Sequence, residues 1–424
     1  MTKALEGIKV LDVSQVAAVP MATRFMADFG ADVLHVEHPT RGDLLRGLQE
    51  LMKLNVPDLA SDFDYLWENY NRNKRGLAID VSTDEGREIL LALVKDADIF
   101  MSNLRTYEIE RYRLSYEELR AANPRLIYGN LTGYGRKGPS KNIPAFDSTA
   151  HWGRAGIAYR LTYPWMPPLG GVGGFGDNVS ALALYAGVTT ALYARERTGI
   201  GQEIEVSLMH TGLYQLSYEL SAAVATGFDA KKKAAETLAE MDLDFENGNL
   251  VHEVRALAPN PLVVPYETKD GRWMLLSVVN RDRYWGKFCD ALGRHDFEDD
   301  PRFATRVAIK ENAEALFHIL EETFRAKTLD EWRPRFADIP SAPVQNYTEA
   351  IADPQTRENE FIVPFKHPVH GQFDVIANPI RMSGTPAVID TAAPTLGQHT
   401  DEILRQHGYT PEQIKAFREN EVIF

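Results

Sequence analysis

Cysteine is almost absent: Cys289 stands alone in 424 residues. A single thiol excludes an internal disulfide framework and any zinc site built from several cysteines. Long apolar runs are missing too. No stretch approaches the roughly 18 apolar residues that would cross a membrane as a helix, so no membrane partner is expected. Positive charge is in deficit, 46 Lys and Arg against 60 Asp and Glu, for a net charge of −14. That balance disfavours a nucleic-acid partner but leaves room for a local basic pocket around one phosphorylated ligand. The opening MTKALEGIKVLDV reads as a strand rather than the apolar core of a signal peptide, which points to a cytoplasmic protein.

The length calls for more than one core. The first part alternates strand and helix. Ile8–Val13 is a strand, Gln15–Phe29 a helix stopped by Gly30, and Ala31–Glu37 a second strand. Further strands are expected at 75–81, 98–102, 125–131 and 203–208, with helices opened by Ser82-x-x-Glu85 and Ser115-x-x-Glu118. This predicts an α/β class, a Rossmann-like large domain on a parallel sheet. Yet the first strand–helix turn reads DVSQVAAVP and lacks the G-x-G-x-x-G that brings a pyrophosphate to a helix, which argues against a nicotinamide oxidoreductase with Glu37 as its ribose acid. Residues 1–208 are read as the first part of this domain. Residues 209–365 are linker helices and a smaller α+β domain, and 366–424 are a returning C-terminal segment whose two short helices break at Gly408.

Leu169–Leu208 organises the rest. Gly170, Gly171, Gly173, Gly174 and Gly176 lead to Asp177, and a long helix follows with Val179, Leu182, Leu184, Ala186, Val188 and Leu192 as core candidates. Glycines let a ligand approach the backbone closely, and a helix start favours a reactive anion. The same Asp also reads simply as a helix cap. Two basic clusters, Asn71–Arg75 before the third strand and Asn103–Arg105 with Arg111 after the fourth, suit a ligand with several phosphates. Leu131–Gly156 is read as a long functional loop, and Trp152 and Trp165, with Phe146, as candidates for an apolar substrate pocket.

These motifs resemble, in order and along nearly the whole chain, the family III CoA-transferases (the formyl-CoA and carnitine CoA-transferase type). The resemblance rests on LEGIKVLDVSQVAAVPMATRFMADFGADVLHVEHPTRGD, NRNKRGLAIDV, LTGYGRKGP, the Gly-Asp helix with RTGIGQEIEVSL, and LGQHTDEIL. The branch acting on aryl and 2-hydroxy acids is most similar, with benzylsuccinate CoA-transferases near it. The resemblance implies an interlocked dimer, a homodimer or a hetero-oligomer with a paralogous chain. It implies acyl-CoA and carboxylic acids as substrates, succinyl-CoA among the donors, with no permanently bound cofactor and no metal. It makes Asp177 the catalytic carboxylate and the N–H groups of Gly173, Gly174 and Gly176 oxyanion donors. Val16, Ala17, Arg46, Asn73, Lys74, Arg75, Asn103, Leu104, Arg105, Arg111 and Lys137 become CoA contacts. Two features depart from formyl-CoA transferase: Ala17 stands where that enzyme has glutamine, and no tetraglycine lid is present. The 2-methylacyl-CoA racemases of the same superfamily are the alternative, as is a scaffolding subunit. Racemases carry a histidine where Phe146 precedes Asp147, and a glutamate that aligns with Asn280.

Overall fold

The computed structural model describes residues 2–55, 63–163, 165–241 and 254–424. Two compact units form, residues 1–231 with 359–424, and residues 232–358, so the chain changes unit later than residue 208 and returns before 366. The first unit holds six strands: β1 (Lys9–Val13), β2 (Asp32–Glu37), β3 (Arg75–Ala78), β4 (Ile99–Ser102), β5 (Ile127–Thr132) and β6 (Glu203–Ser207). They lie in the order β3-β2-β1-β4-β5-β6 and every neighbouring pair is parallel. Helices cover both faces, so strand residues are buried whichever way they point. Val10, Val33, Ile99 and Ile127 enter one core, and Leu11, Leu34, Phe100 and Tyr128 the other.

The first core is closed by α1 (Ala18–Asp28), α2 (Leu45–Asn55) and α3 (Tyr65–Asn71), the second by α4 (Asp84–Asp96), α5 (Thr106–Tyr112) and α6 (Tyr116–Ala122). Helix α1 starts three residues later than its pattern suggests, because Val16 has φ +68°, incompatible with a right-handed helix. Helix α4 is capped by Thr83, not Ser82, whereas α6 carries the expected box between Ser115 and Glu118. The expected long loop is partly ordered. It contains a π-helical segment, Asp147–Arg154, and α7 (Ile157–Leu161). Then α8 (Phe175–Thr198) lays Ala181, Leu184, Val188 and Ala191 into the first core at helical spacing. Leu182 and Ala186, expected inside, fall between those positions and are exposed, Leu182 by 39%.

Helices α9 (Leu208–Gln215), α10 (Ser217–Thr226) and α11 (Ala230–Glu240) follow. The second unit has an antiparallel sheet of β7 (Pro265–Glu267), β8 (Trp273–Leu276) and β9 (Ser341–Pro343), preceded by a 3₁₀ turn, Pro261–Val263. Its core is aromatic: Tyr266 stacks on Phe324, and Phe288 of α12 (Arg281–Leu292) and Phe317 of α13 (Ala313–Arg325) are buried with it, as is Cys289. Back in the first unit, β10 (Ile362–His367) and β11 (Gly371–Ile376) form a hairpin, and α14 (Thr400–Gln406) and α15 (Pro411–Glu419) break at Gly408 as expected. The terminus covers the open edge of β3, with Ala78 N–H donating to Thr400 Oγ1 and Asp80 N–H to the Val422 carbonyl.

Beneath the C-terminal ends of β1 and β2 runs a buried chain of charges. Lys74 Nζ donates to Asp12 Oδ2 at 3.0 Å, Asp12 Oδ2 is 2.9 Å from His35 Nδ1, and His35 Nε2 is 3.4 Å from Asp43 Oδ2. All four side chains are buried. Burial opposes charge here, but Lys74 and His35 hold Asp12 well below the carboxylate range, and Asp12 and Asp43 push His35 up to about 9. His35 is therefore an imidazolium at neutral pH. Its contribution to stability is complete below about pH 6.5, its unfolded value, and is lost as pH rises through about 9. Lys74→Ala, which strands Asp12 without its ammonium, should cost about 3–5 kcal/mol in urea unfolding at neutral pH. A cost near that of a surface pair, under about 1 kcal/mol, would contradict the structural role of this chain.

Candidate active site

In an open parallel sheet, the crevice outside the strand ends lies where the order reverses. Here that point is between β1 and β4. Asn103, after β4, clamps the loop after β1: its Oδ1 accepts from Gln15 N–H at 3.0 Å and its Nδ2 donates to the Gln15 carbonyl at 2.7 Å. A cavity of about 320 Å³ opens above this junction, lined by Val16, Ala17, Asn103, Phe146, Asp147 and Asp177 among others. A second, of about 370 Å³, extends toward β2 and β3, with Glu37, His38, Arg41 and Asp80 in its wall. The two share Gln15, Leu44, Leu104 and Glu108.

The glycine loop sets Asp177 in the first turn of α8, two residues inside the helix start, so the residue before the helix is Gly174 and Asp177 is not the cap. Two of the glycines are obligatory. Gly174 has φ +75°, and a Cβ there would meet the Tyr70 hydroxyl at 2.9 Å. A Cβ on Gly176 would meet the His151 ring at 2.2 Å. Asp147 and His151 reach this point from successive turns of the π-helix, and Asp147 Oδ2 accepts the Gly176 N–H at 3.0 Å. Such π-segments recur at functional sites because they re-aim side chains within a helix.

The electrostatics are set by burial and by like charge. Among the described residues, nothing donates a hydrogen bond to the Asp177 carboxylate. Burial first, and the Asp147 charge second, push Asp177 up to about 7. Burial also lowers His151, only partly offset by Asp147, and neither nitrogen of its buried ring has a hydrogen-bond partner among the described residues, although Nδ1 lies 3.9 Å from Asp147 Oδ1. A desolvated carboxylate poised near neutrality is a stronger nucleophile than a solvated one once ionised, and it sits on a wall that a ligand can reach.

The expected residues divide. Val16, Ala17, Asn103, Leu104, Arg105, Phe146 and Asp177 converge on the cavity. The cluster 73–75 does not, because it precedes β3 and so lies at the opposite edge of a parallel sheet. Asn73 Nδ2 donates to Asp28 Oδ1 and to the Val388 carbonyl, Arg75 pairs with Asp32 at 2.6 Å, and Lys74, expected on CoA phosphates, is the buried cation beside Asp12. Arg46 is held bidentately by Glu37 and lies 3.6 Å over the Trp67 ring. Arg111, beside Tyr112, and Lys137 are exposed outside the first cavity. The Gly176 N–H is taken by Asp147, which leaves Gly173 and Gly174 for an oxyanion. Trp152 is core, donating Nε1–H to the Leu169 carbonyl and meeting Phe175 edge-on, and Trp165 stacks on Tyr163. Arg41 and Lys141, overlooked in the sequence, line the two cavities with no carboxylate partner among the described residues.

The model of CoA-transferase family III matches residues 5–400. The chain belongs to that family. An (R)-2-hydroxy-4-methylpentanoate CoA-transferase of Clostridioides difficile is 32% identical over 421 residues, 99% of each chain. A cinnamoyl-CoA:phenyllactate CoA-transferase of Clostridium sporogenes is 30% identical over 432 residues, 100% of this chain and 98% of the relative. Among solved structures, a CAIB/BAIF family protein from Brucella suis has a TM-score of 0.76 at 26% identity, covering 96% of this chain and 100% of the other. A protein from Mycobacterium tuberculosis titled hypothetical reaches 0.77 at 24%, covering 95% and 99%, and shares the fold.

The pH profile of acyl-CoA consumption tests the site electrostatics. If Asp177 is the nucleophile, only its ionised form attacks, and the rate should climb with pH through an inflection near 7 and level off above it. Asp147→Asn should shift that inflection downward. A profile flat from about pH 5.5 to 8.5 would contradict this assignment.

Proposed function

We propose that this chain moves CoA from an acyl-CoA donor to a free carboxylic acid, with Asp177 as covalent nucleophile. The observation that carries this reading is an unpartnered, desolvated carboxylate on the wall of the switch-point cavity, at the end of a glycine-rich loop.

An Asp177 oxygen attacks the donor thioester carbon, and CoA thiolate leaves an acyl-aspartyl anhydride behind. The thiolate attacks the aspartyl carbonyl and expels the donor acid as its carboxylate, which gives an aspartyl-CoA thioester. The acceptor carboxylate attacks that thioester to form a second anhydride and thiolate. Attack of thiolate on the acceptor acyl carbon releases the new acyl-CoA and restores the Asp177 carboxylate. Protons and electrons balance without a redox partner. In this reading the N–H groups of Gly173 and Gly174 stabilise the oxyanions, and exclusion of water protects the anhydrides.

Val16, Ala17, Asn103, Leu104 and Arg105 serve as CoA contacts, and Arg41 and Lys141 are the phosphate-binding cations this edge offers. A 2-hydroxy or aryl acid is supported by the substrates that the Clostridioides and Clostridium relatives are named for, and by the apolar wall of Leu131, Ile143 and Phe146. A racemase reading is less well supported. Phe146, 56% exposed at the cavity, carries no titratable group, and Asn280 caps α12 through the Arg283 N–H. Helix α10 buries none of its residues within the chain, and Tyr218 is 95% exposed, which supports pairing with a second copy as in the interlocked arrangement.

Asp177→Ala should lower CoA transfer by about 10³-fold or more and leave CoA binding, measured by calorimetry, near that of the unsubstituted chain. Retained turnover in that variant would overturn the assignment.

A further inference from the structure

Val16 stands at φ +68°, one of the few non-glycine residues here in the left-handed region. A β-branched side chain is poorly suited to that conformation, so something must hold it there. The Asp43 carboxylate does: it accepts the Val16 N–H with both oxygens, at 2.9 and 3.2 Å, and also the Leu45 N–H at 2.8 Å. Asp43 is itself fixed. It is 2% exposed, its own N–H donates to Glu37 Oε2 at 2.9 Å, and His35 Nε2 lies 3.4 Å from its Oδ2 at the end of the chain through Asp12 to Lys74. From the other side, Asn103 grips both backbone groups of Gln15. The turn 15–16 is therefore clamped twice, and the direction in which α1 departs is settled by it.

That departure matters for the cavity. Helix α1 starts without any side-chain cap, and its N-cap residue Ala17 and first residue Ala18 line the same cavity as Asp177. Its free N–H donors and partial positive charge suit a reaction whose tetrahedral stages carry an oxyanion and whose leaving groups are thiolate and carboxylate.

We propose that Asp43 is a positioning residue for the transfer reaction: by holding Val16 in the left-handed conformation, it aims the uncapped start of α1 at the reacting carbons on Asp177. The inference rests on the reading of Asp177 as nucleophile. Asp43 lies in the wall of the second cavity but is only 2% exposed, and the proposed effect runs through the Val16 backbone.

The test is a rescue. Asp43→Asn keeps size but sets an amide N–H against one of the two backbone donors. It should raise amide hydrogen exchange across residues 14–19 and lower kcat by about 10²-fold, with the KM for acyl-CoA little changed. A second substitution, Val16→Gly, removes the cost of positive φ and should recover most of the lost kcat, because glycine takes that conformation without help. A purely structural role predicts otherwise: activity would follow the folded fraction seen by circular dichroism, and glycine would not restore it. The proposal is overturned if kcat stays unchanged while exchange rises, if exchange stays unchanged, or if a folded Asp43→Asn chain is not rescued by Val16→Gly. Failure of the underlying reading would look different, because Asp177→Ala would then retain turnover whatever the Asp43 variants did.

Discussion

The hydrogen bonds from Lys74 through Asp12 to His35, and the ion pair from His35 to Asp43, decide where this protein can place chemistry. They alternate in charge along buried side chains, so each member is paid for by its neighbour, and removing one exposes the next to an uncompensated low-dielectric environment. They also join four stretches of chain: β1, β2, the loop after β2 that carries Asp43, and the turn before β3. The last link, from Asp43 to the Val16 N–H, carries that rigidity to the sheet edge where β1 and β4 diverge. A parallel sheet always offers a crevice there. What is particular to this chain is that a strained valine, held by a carboxylate, shapes its wall in place of a glycine-rich phosphate turn.

Opposite that wall, Asp177 illustrates the cost of a reactive group. A carboxyl in the first turn of a helix normally stays ionised and stable. Burial and the neighbouring Asp147 outweigh the helix terminus and raise it to about 7. Asp147 meanwhile anchors the loop by accepting the Gly176 N–H, and His151 fills the space that a side chain on Gly176 would need. The glycines are thus explained by close approach as much as by ligand access. Stability is given up at this site, as it is wherever a carboxyl is held desolvated beside a like charge.

Much of this was legible in the chain. Alternating apolar strands and amphipathic helices predict the parallel sheet, and LGGVGGFGD marks the start of α8. The polar network was not legible, because Asp12, His35 and Asp43 are distant in sequence and meet only through strand register, with Asp12 directly opposite His35 across β1 and β2. A signal was nevertheless present: IKVLDV places Asp12, and ADVLHVE places His35 and Glu37, inside a buried run, and such residues must have partners. The basic cluster before β3 misled for a related reason. Composition says that cations are present, but only chain direction says at which edge of a parallel sheet they emerge. Trp152 and Trp165 misled because aromatics in a loop fill its own small cores as readily as a substrate pocket.

The covalent role of Asp177 is tested most directly by mass spectrometry of the intact protein after incubation with an acyl-CoA donor and no acceptor. An adduct of CoA less water, lost on treatment with hydroxylamine and mapped to the peptide that contains Asp177, is the predicted result. No adduct from any donor, together with exchange of the α-proton of a 2-methylacyl-CoA in deuterated water, would contradict the transfer mechanism and favour the racemase chemistry instead.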